Sequence, residues 1–554
     1  MKKNGQMSYK DNFSNYIQRR SFLLRVGLIT GGIFLNGCYK KIKAGTYNFP
    51  GKLLGPNVKA GHILRNKTVI EKASSSRKVK TLIIGSGISG LSAGRWLKKE
   101  GETDFEILEL ENHAGGNSYF GTNKISSYPL AAHYVTIANN DDDLLIDFLK
   151  EINVITHFEK GLPYYNDYYL TFDPEERLLI NGEWQEGLIP EFGVPVADKL
   201  QIKRFLAEAE KLKLTVGDDG KYIFNIPISS CSSDENYKKL DQISFKSYLE
   251  KNNYTSPYLL WYLNYSCKDD YGQEIDKISA WAGLHYFASR RGKAANAENN
   301  AVLTWPEGNG WLMKNLSERL KNHITTGAMC TNLEITAAGN VEVTVYHPEK
   351  KLTETIIAEK VILSSPQFVN NKILKNINRP KIDYSKFNYA PWLVANITIN
   401  QLPDAKGLTL CWDNVAYNTP SVGYVNANQQ HISLSEDKKV ITYYLPLCKF
   451  EPAVARLAAY SRSYNQWLDI ILPELEYIHP EITKAIENID LWVWGHGMIS
   501  PVTDFIWSEN LQTARRSIDN KIFFAHTDLS GISIFEEAFH QGVRAAKEVL
   551  TKNG

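Results

Sequence analysis

Residues 79–101 read VKTLIIGSGISGLSAGRWLKKEG. Val79 to Ile84 is a short aliphatic run ending at a glycine, which predicts a buried β-strand. Ser89 to Glu100 predicts a helix, with Leu91, Trp96 and Leu97 on its apolar side. Between them Gly85, Gly87 and Gly90 have the spacing G-x-G-x-x-G. Gly85 permits a tight turn, Gly87 lets a pyrophosphate approach the backbone, and Gly90 allows close helix–strand packing. Ser89 lies within the motif, where the helix opens and its positive end faces the pyrophosphate. A second strand, FEILEL at 105–110, brings Glu109 to its end, 19 residues after Gly90. A carboxylate there accepts hydrogen bonds from ribose hydroxyls. This order predicts an α/β fold with a Rossmann-like dinucleotide domain.

Further stretches separate one dinucleotide from another. LELENHAGGNS, residues 108–118, continues from Glu109 into Gly115 and Gly116. It resembles the second glycine motif of the flavin-containing amine oxidase and phytoene desaturase superfamily, with Asn117 where that family generally has arginine. KIFFAHTDLSGISIFEEAFHQGVRAAKEVL, residues 521–550, resembles the family's closing segment. There the resemblance implies that Asp528 holds a ribityl hydroxyl. It also implies that Phe535 and Glu536 open a helix whose positive end faces the flavin pyrimidine. Gly542, Arg544, Ala545 and Ala546 complete the match, while His526 and Glu537 replace family glycines. LTWPEGNGWLMKNLSERL, TTGAMCTNLEITAAGNVEVTV and AEKVILSSPQ, between 303 and 367, resemble the family's middle FAD segment. Cys330 aligns with a residue that touches adenine through its backbone, and its thiol reads as a small buried hydrophobe. The resemblance implies noncovalent FAD, since no cysteine stands beside the C-terminal motif.

The FAD segments lie far apart, so the domain they build must be discontinuous. Its expected parts are 77–140, 297–370 and 495–554. An α+β substrate domain, of the kind amine oxidases carry, is expected from 141–296 and 371–494. DDDLLIDFLKEI (141–152) and KLQIKRFLAEAEKLKL (199–214) read as helices, PWLVANITIN (391–400) as a strand, and PAVARLAAYSRSYNQWLDIIL (452–472) as one helix. The aromatic runs YLLWYLNYSCKDDYG and SAWAGLHYF, at near-helical spacing, read as core.

Flavin chemistry needs a substrate C–H held close to the cofactor with water excluded. The resemblance places a lysine on the strand after the middle FAD segment, and here Asn396 or Ala395 falls at that place. Ile534 aligns with one position of the family's aromatic cage. Both amine-oxidase hallmarks are therefore missing. Other candidates are His496, within WVWGHGMISP beside Trp492, Trp494 and Met498, and His133 in AAHY after the paired glycines. Each suits a base or a substrate-orienting group. The expected activity is oxidation of a small organic substrate, an amine or polyamine, by hydride transfer to flavin, with oxygen or a quinone as the electron acceptor. The alternatives are a dehydrogenase of the phytoene-desaturase type passing electrons to a quinone, and a flavin-holding envelope protein without catalysis.

Composition is globular: 554 residues, 43% hydrophobic and 22% charged, enough for two or more domains. A net charge of +2 argues against a nucleic-acid partner. Six cysteines at irregular spacing show no metal-ligand or disulfide framework, and no metal is expected. Residues 19–38 read RRSFLLRVGLITGGIFLNGC. A basic pair, a short apolar run and a small residue before cysteine form a bacterial export signal. The apolar run of 14 residues from Phe22 to Leu35 is too short to span a bilayer. Residues 1–38 are thus expected to act as a twin-arginine, lipoprotein-type signal, read by the twin-arginine export machinery. Lipid on Cys38 would anchor the protein to a membrane of the cell envelope, and residues 39–76 would be a tether. That route carries folded proteins, which suits a chain that acquires its cofactor before export.

Overall fold

The computed structural model describes residues 47–66, 68, 70–403, 405–431 and 438–551. Residues 1–38, expected to act as an export signal, and Cys38 among them, lie outside the described residues. The chain is α/β, built on two sheets with different jobs.

The first sheet has seven strands. Ser75–Ile84 lies near its centre and pairs in parallel with Phe105–Leu108 on one side and Leu352–Leu363 on the other. Thr81 to Ile84 are all buried, as a central parallel strand covered on both faces requires. Ile324–Thr325 extends one edge, an antiparallel meander of Met329–Ile335 and Val341–His347 the other, and Ile522–Phe524 joins Leu352–Leu363 in parallel. One sheet therefore draws strands from three distant stretches of chain. Two helices cover the face that carries the glycine turn. Ile88–Lys99 buries Ile88, Leu91, Ala93 and Leu97, and Phe535–Thr551 packs along it. Trp96 sits half-buried at the rim, beneath Lys99 and Lys547. Burying each large aliphatic side chain here stabilises the fold by about 1.5–3 kcal/mol.

The second sheet has eight strands, and its long members are Tyr389–Ile399, Lys439–Pro446 and Ile486–Ile499. Tyr389–Ile399 is buried along its whole length because strands flank it on both edges and helices or loops cover both faces. One face packs on Tyr464–Ile478 through Trp467, Leu468, Ile471 and Leu475. The other face carries Trp392 and Val394 over a cavity lined by residues 131–136. Helices Val196–Lys213, Pro257–Tyr271 and Ala280–Ala288 form a separate core around Phe205, Phe245 and Trp281.

Three expectations need correction. Residues 39–76 are not a tether throughout. Leu53–Leu54 adds a parallel edge strand to the second sheet beside Leu491 and Trp492, and Val58–Asn66 is a helix. The added strand depends on backbone pairing to a partner more than 400 residues away in sequence, which local composition does not record. The boundary between 494 and 495 falls inside the strand Ile486–Ile499, which pairs along Tyr389–Ile399 without a domain break. Residues 452–472 form two helices, Pro452–Ser461 and the start of Tyr464–Ile478. Ser463 interrupts them because its side chain and that of Gln466 close a reciprocal capping box. Among the described residues, no helix is long and apolar enough to cross a membrane.

Candidate active site

The turn after Ser75–Ile84 is shaped for a pyrophosphate. Gly85 has φ +103°, and a Cβ on Gly90 would lie 1.9 Å from the Gly85 carbonyl oxygen. No side chain caps the helix at Gly87, so its first amides point outward without a protein acceptor from that residue. Ser89 is buried in the first helical turn. Its carbonyl lies 2.1 Å from where a Cβ on Gly542 would stand, so the two helices touch backbone to backbone there.

Glu109 closes the turn. Its Oε2 accepts from the Ser86 amide at 2.9 Å and the Ser86 hydroxyl at 2.7 Å, and its Oε1 accepts from the Glu111 amide at 2.9 Å. An ionised carboxylate accepts about four hydrogen bonds, so Oε1 retains room for a ribose hydroxyl. Cys330 is buried on the meander, its thiol pushed up to about 12 by burial, as a small hydrophobe would be. Asp528 is buried. One oxygen accepts from the Gln367 amide and the Tyr389 hydroxyl, while Oδ1 accepts no hydrogen bond. His526 Nδ1 lies 3.0 Å from that oxygen and accepts from the Asp528 amide. The Gln367 side-chain amide and the Ser364 hydroxyl are likewise buried and unpartnered. Such groups are costly unless a ligand satisfies them.

A cavity opens beside the second glycine motif, at Asn117. The strand Tyr134–Thr136 and its lead-in from Ala131 form its floor, and Trp392, Val394 and Trp494 of the second sheet form its roof. Asn117 and the residues from Ser533 to Glu536 close the end nearest the glycines. Gly115 and Gly116 both have positive φ, which lets the chain turn sharply into Asn117. The Asn117 side chain donates to the Gly497 carbonyl, tying the second glycine motif to the opposite sheet where the family arginine would carry charge. Phe535 borders the cavity while its ring packs with Phe148 and Phe539.

His133 is in this cavity. Its ring stacks on Tyr444 with centroids 4.5 Å apart, and Nδ1 lies 3.4 Å from the Ala131 carbonyl. Burial holds its pKa down to about 4, so the imidazole is neutral at pH 7. His496 and Asn396, the other two candidates, are not among the residues lining this cavity. His496 stacks outside on Phe368, because strand alternation and an irregularity in pairing near Ala390 turn Trp494, Gly497 and Met498 inward instead. Asn396 shares a face with Trp392 and Val394 but lies one pleat beyond them, in a different cavity. Val394, an apolar residue, stands over the first cavity.

Sequence reasoning missed the charged wall. Asp269 and Asp270 come from the last turn of Pro257–Tyr271, and Arg290 follows the next helix. Arg290 Nη2 binds Asp270 Oδ2 at 2.6 Å, and the Tyr134 hydroxyl lies 3.4 Å from Asp269 and 3.3 Å from Asp270. Burial and the neighbouring Asp270 push Asp269 up to about 7, and burial does the same to Glu536. Behind them Asp413 is also raised, by burial and by Asp269. One signal was available. Carboxylates in the last turn of a helix oppose its dipole, so the DD of KDDYG, just before the left-handed Gly272 that ends the helix, marks a position kept against local preference.

Against known families, a profile described as an NAD(P)-binding Rossmann-like domain matches residues 83–152. No curated protein sequence matches the chain. Solved structures share the fold at low identity. Putrescine oxidase bound to putrescine is 14% identical, with TM-score 0.58, over 86% of this chain and 100% of that one. Cyclohexylamine oxidase from Brevibacterium oxydans is 12% identical, with TM-score 0.57, over 86% and 99%. A fatty acid isomerase from P. acnes is 16% identical, with TM-score 0.57, over 86% and 98%. The chain is thus similar in fold to these proteins along nearly their whole length, with a Rossmann-like domain and a second domain over the cavity.

Proposed function

We propose that the protein is an FAD-dependent oxidoreductase that oxidises a small amine or polyamine. The observation that carries this reading is the cavity itself. It joins the second glycine motif to the start of the C-terminal helix, and it holds a neutral histidine, aromatic walls and more carboxylates than cations. The residues present fit FAD. Gly85, Gly87 and Gly90 would take the pyrophosphate, Glu109 a ribose, and the unpartnered oxygen of Asp528 a ribityl hydroxyl. Gly115, Gly116 and Asn117 would flank the flavin end, and the amides opening Phe535–Thr551 would favour negative charge there. Bound in this way, the flavin supplies a hydride acceptor.

The chain's own groups do the rest. Trp392, Trp494 and Tyr444 exclude water. Ionised Asp269, its pKa raised to about 7, attracts an ammonium group and takes its proton so that the amine can lose a hydride, while Glu536 and neutral His133 orient the substrate. The test of this reading is direct: add amines, polyamines and neutral controls anaerobically to the yellow protein and watch the flavin colour. Bleaching by amines supports the reading, and no bleaching by any compound favours the non-catalytic alternative. Comparing peroxide formation with reduction of a quinone analogue then identifies the acceptor. Acid precipitation should release the flavin into solution if it is held noncovalently.

Asp269 makes the substrate's binding pH-dependent. Its folded-state pKa lies above the ordinary 3.8. The stability this raised pKa contributes is therefore fully present below about 3.8 and is lost as pH rises through about 7. A bound cation favours the ionised form and reverses the preference. Diamine affinity is therefore expected to rise with pH up to about 7, by at most about tenfold per unit, and then level off. Asp269→Asn should flatten that rise, as read by diamine titration from pH 5 to 8. An unchanged slope would remove Asp269 from substrate binding.

We also propose export through the twin-arginine route with lipid on Cys38. Replacing Arg19 and Arg20 with lysine keeps the charge but loses the guanidinium geometry. Blotting of cell fractions should find that variant in the cytoplasm with FAD bound. Cys38→Ala should be exported yet wash free of membrane. Envelope levels of the double-lysine variant equal to the parent would overturn the route.

A further inference from the structure

The helix Pro452–Ser461 turns its large apolar residues to solvent. It buries Ala455 and Ala459, while Val454, Leu457 and Tyr460 are 43%, 50% and 44% exposed. Spaced three apart, these three share one side of the helix. Phe450, just before the helix, is exposed to a similar degree. A surface helix otherwise packs its large apolar residues inward, as Val196–Lys213 does with Ile202 and Phe205. The Tyr460 hydroxyl accepts from the Gly495 amide at 3.1 Å, and the Tyr464 hydroxyl, opening the next helix, donates to the Ile489 carbonyl at 2.9 Å. Both partners belong to Ile486–Ile499, whose edge carries Leu53–Leu54. Leu53 pairs with Leu491, between those two contacts, and shares its side of the sheet, where Leu491 packs beneath Tyr464–Ile478. Exposed Leu53 therefore continues the apolar face at the sheet edge.

Cations surround this face. Lys449 and Arg462 flank the helix, and Arg456 lies on it with Nη1 donating to the Gly495 carbonyl at 2.8 Å. Burial lowers the Arg456 pKa, and Arg65 of the helix Val58–Asn66 lowers it further, so a second guanidinium stands nearby. Glu451, at the start of the helix, is met by Lys277 at 3.1 Å. An apolar face bordered by cations complements an anionic lipid surface. The described chain also begins here. Tyr47 and Phe49 pack against the core beneath Tyr464–Ile478. Cys38 lies nine residues before Tyr47 in sequence, so the chain between them reaches about 30 Å at most. Lipid on Cys38 would keep this side of the protein within that distance of a bilayer.

We propose that Phe450, Val454, Leu457, Tyr460 and Leu53 form a docking surface for an anionic lipid bilayer. The surface seats the protein on the membrane in one orientation, where an acyl anchor by itself would leave it on a loose chain. The argument from reach rests on the lipid reading above, whereas the apolar face and its cations stand without it. A few half-exposed side chains bind a bilayer weakly and reversibly, so Cys38→Ala still washes free.

A fluorophore attached at Leu457→Cys in the full-length, flavin-loaded protein tests the surface. Cys448→Ser removes the partly exposed thiol nearby, and the other described cysteines are buried. Leu457 is half-exposed, so its replacement costs little stability. In vesicles of phosphatidylcholine and phosphatidylglycerol with brominated chains, the label at position 457 is expected to be quenched severalfold more than one at Leu200→Cys, an exposed leucine of Val196–Lys213. Omitting phosphatidylglycerol should reduce that quenching severalfold. The proposal is overturned if the label at 457 is quenched no more than the label at 200, or if the omission changes nothing. An unquenched label at 457 on a protein that sediments as a dimer would assign the face to a second copy, and overturns it equally. Failure of the lipid reading would show separately, as a Cys38 that carries no acyl chain by mass spectrometry in a protein whose label at 457 is still quenched.

Discussion

Gly90→Ala is expected to yield protein that is purified without flavin and unfolds at markedly lower denaturant. The added methyl carbon would stand 1.9 Å from the Gly85 oxygen, 3.0 Å from its carbon and 3.3 Å from Ser364 Cβ. Two of those neighbours are backbone, so no rotamer change relieves the overlap. The helix Ile88–Lys99 must back away from the turn, and it cannot do so alone because Gly542 holds it against Phe535–Thr551 at Ser89. Overpacking in a dense core costs about 1–3 kcal/mol, and a backbone clash belongs at the upper end. The same displacement swings the helix amides off the pyrophosphate position, so binding suffers as well as stability. Flavin absorbance per protein and a denaturation midpoint measure the two effects. Parent values for both would mean that the turn is not packed as described.

Glu109→Ala should weaken flavin binding by about ten- to a hundredfold and also destabilise the empty protein. The carboxylate makes three hydrogen bonds that hold the glycine turn, two of them to Ser86, whose side chain is fully buried. Truncation strands the buried Ser86 amide and hydroxyl, at about 1–3 kcal/mol each. It also removes the acceptor left for a ribose, a charge-assisted bond worth about 1.5–3 kcal/mol. The ribose bond alone corresponds to about ten- to a hundredfold in affinity, while the stranded Ser86 groups cost stability in the empty and the loaded protein alike. Glu109→Gln retains one acceptor oxygen and should fall between parent and alanine. A stable Glu109→Ala protein with full flavin occupancy after dilution would place the ribose contact elsewhere.

Sequence and structure divide along a physical line. The strand at Val79, the glycine turn, the helix after it and the strand ending at Glu109 are local: each depends on residues within a few positions, and periodicity and glycine spacing record them. The structure extends the first strand back to Ser75 and begins the helix at Ile88, a shift of one residue, without altering their order. The C-terminal helix opening at Phe535 was expected from the resemblance of residues 521–550 to the family's closing segment. His133 could be located near the cavity because it follows the second glycine motif closely in sequence.

What depended on distant pairing was not legible. Which of Trp392, Val394 and Asn396 stands over the cavity depends on strand register and on how far the cavity extends along the sheet. All three share a face, so alternation alone cannot choose among them, and only the cavity's limits exclude Asn396. Turning His496 outward and Met498 inward required the pairing irregularity near Ala390. The acidic wall came from helices whose aromatic stripe reads correctly as core, with Asp269 and Asp270 carried on the turn that leaves that core. By itself, the sequence determined the α/β class and the dinucleotide turn, because those rest on short-range backbone geometry. The tertiary structure alone decided which side chains share the cavity and which polar groups are left without partners, because both follow from contacts between segments hundreds of residues apart.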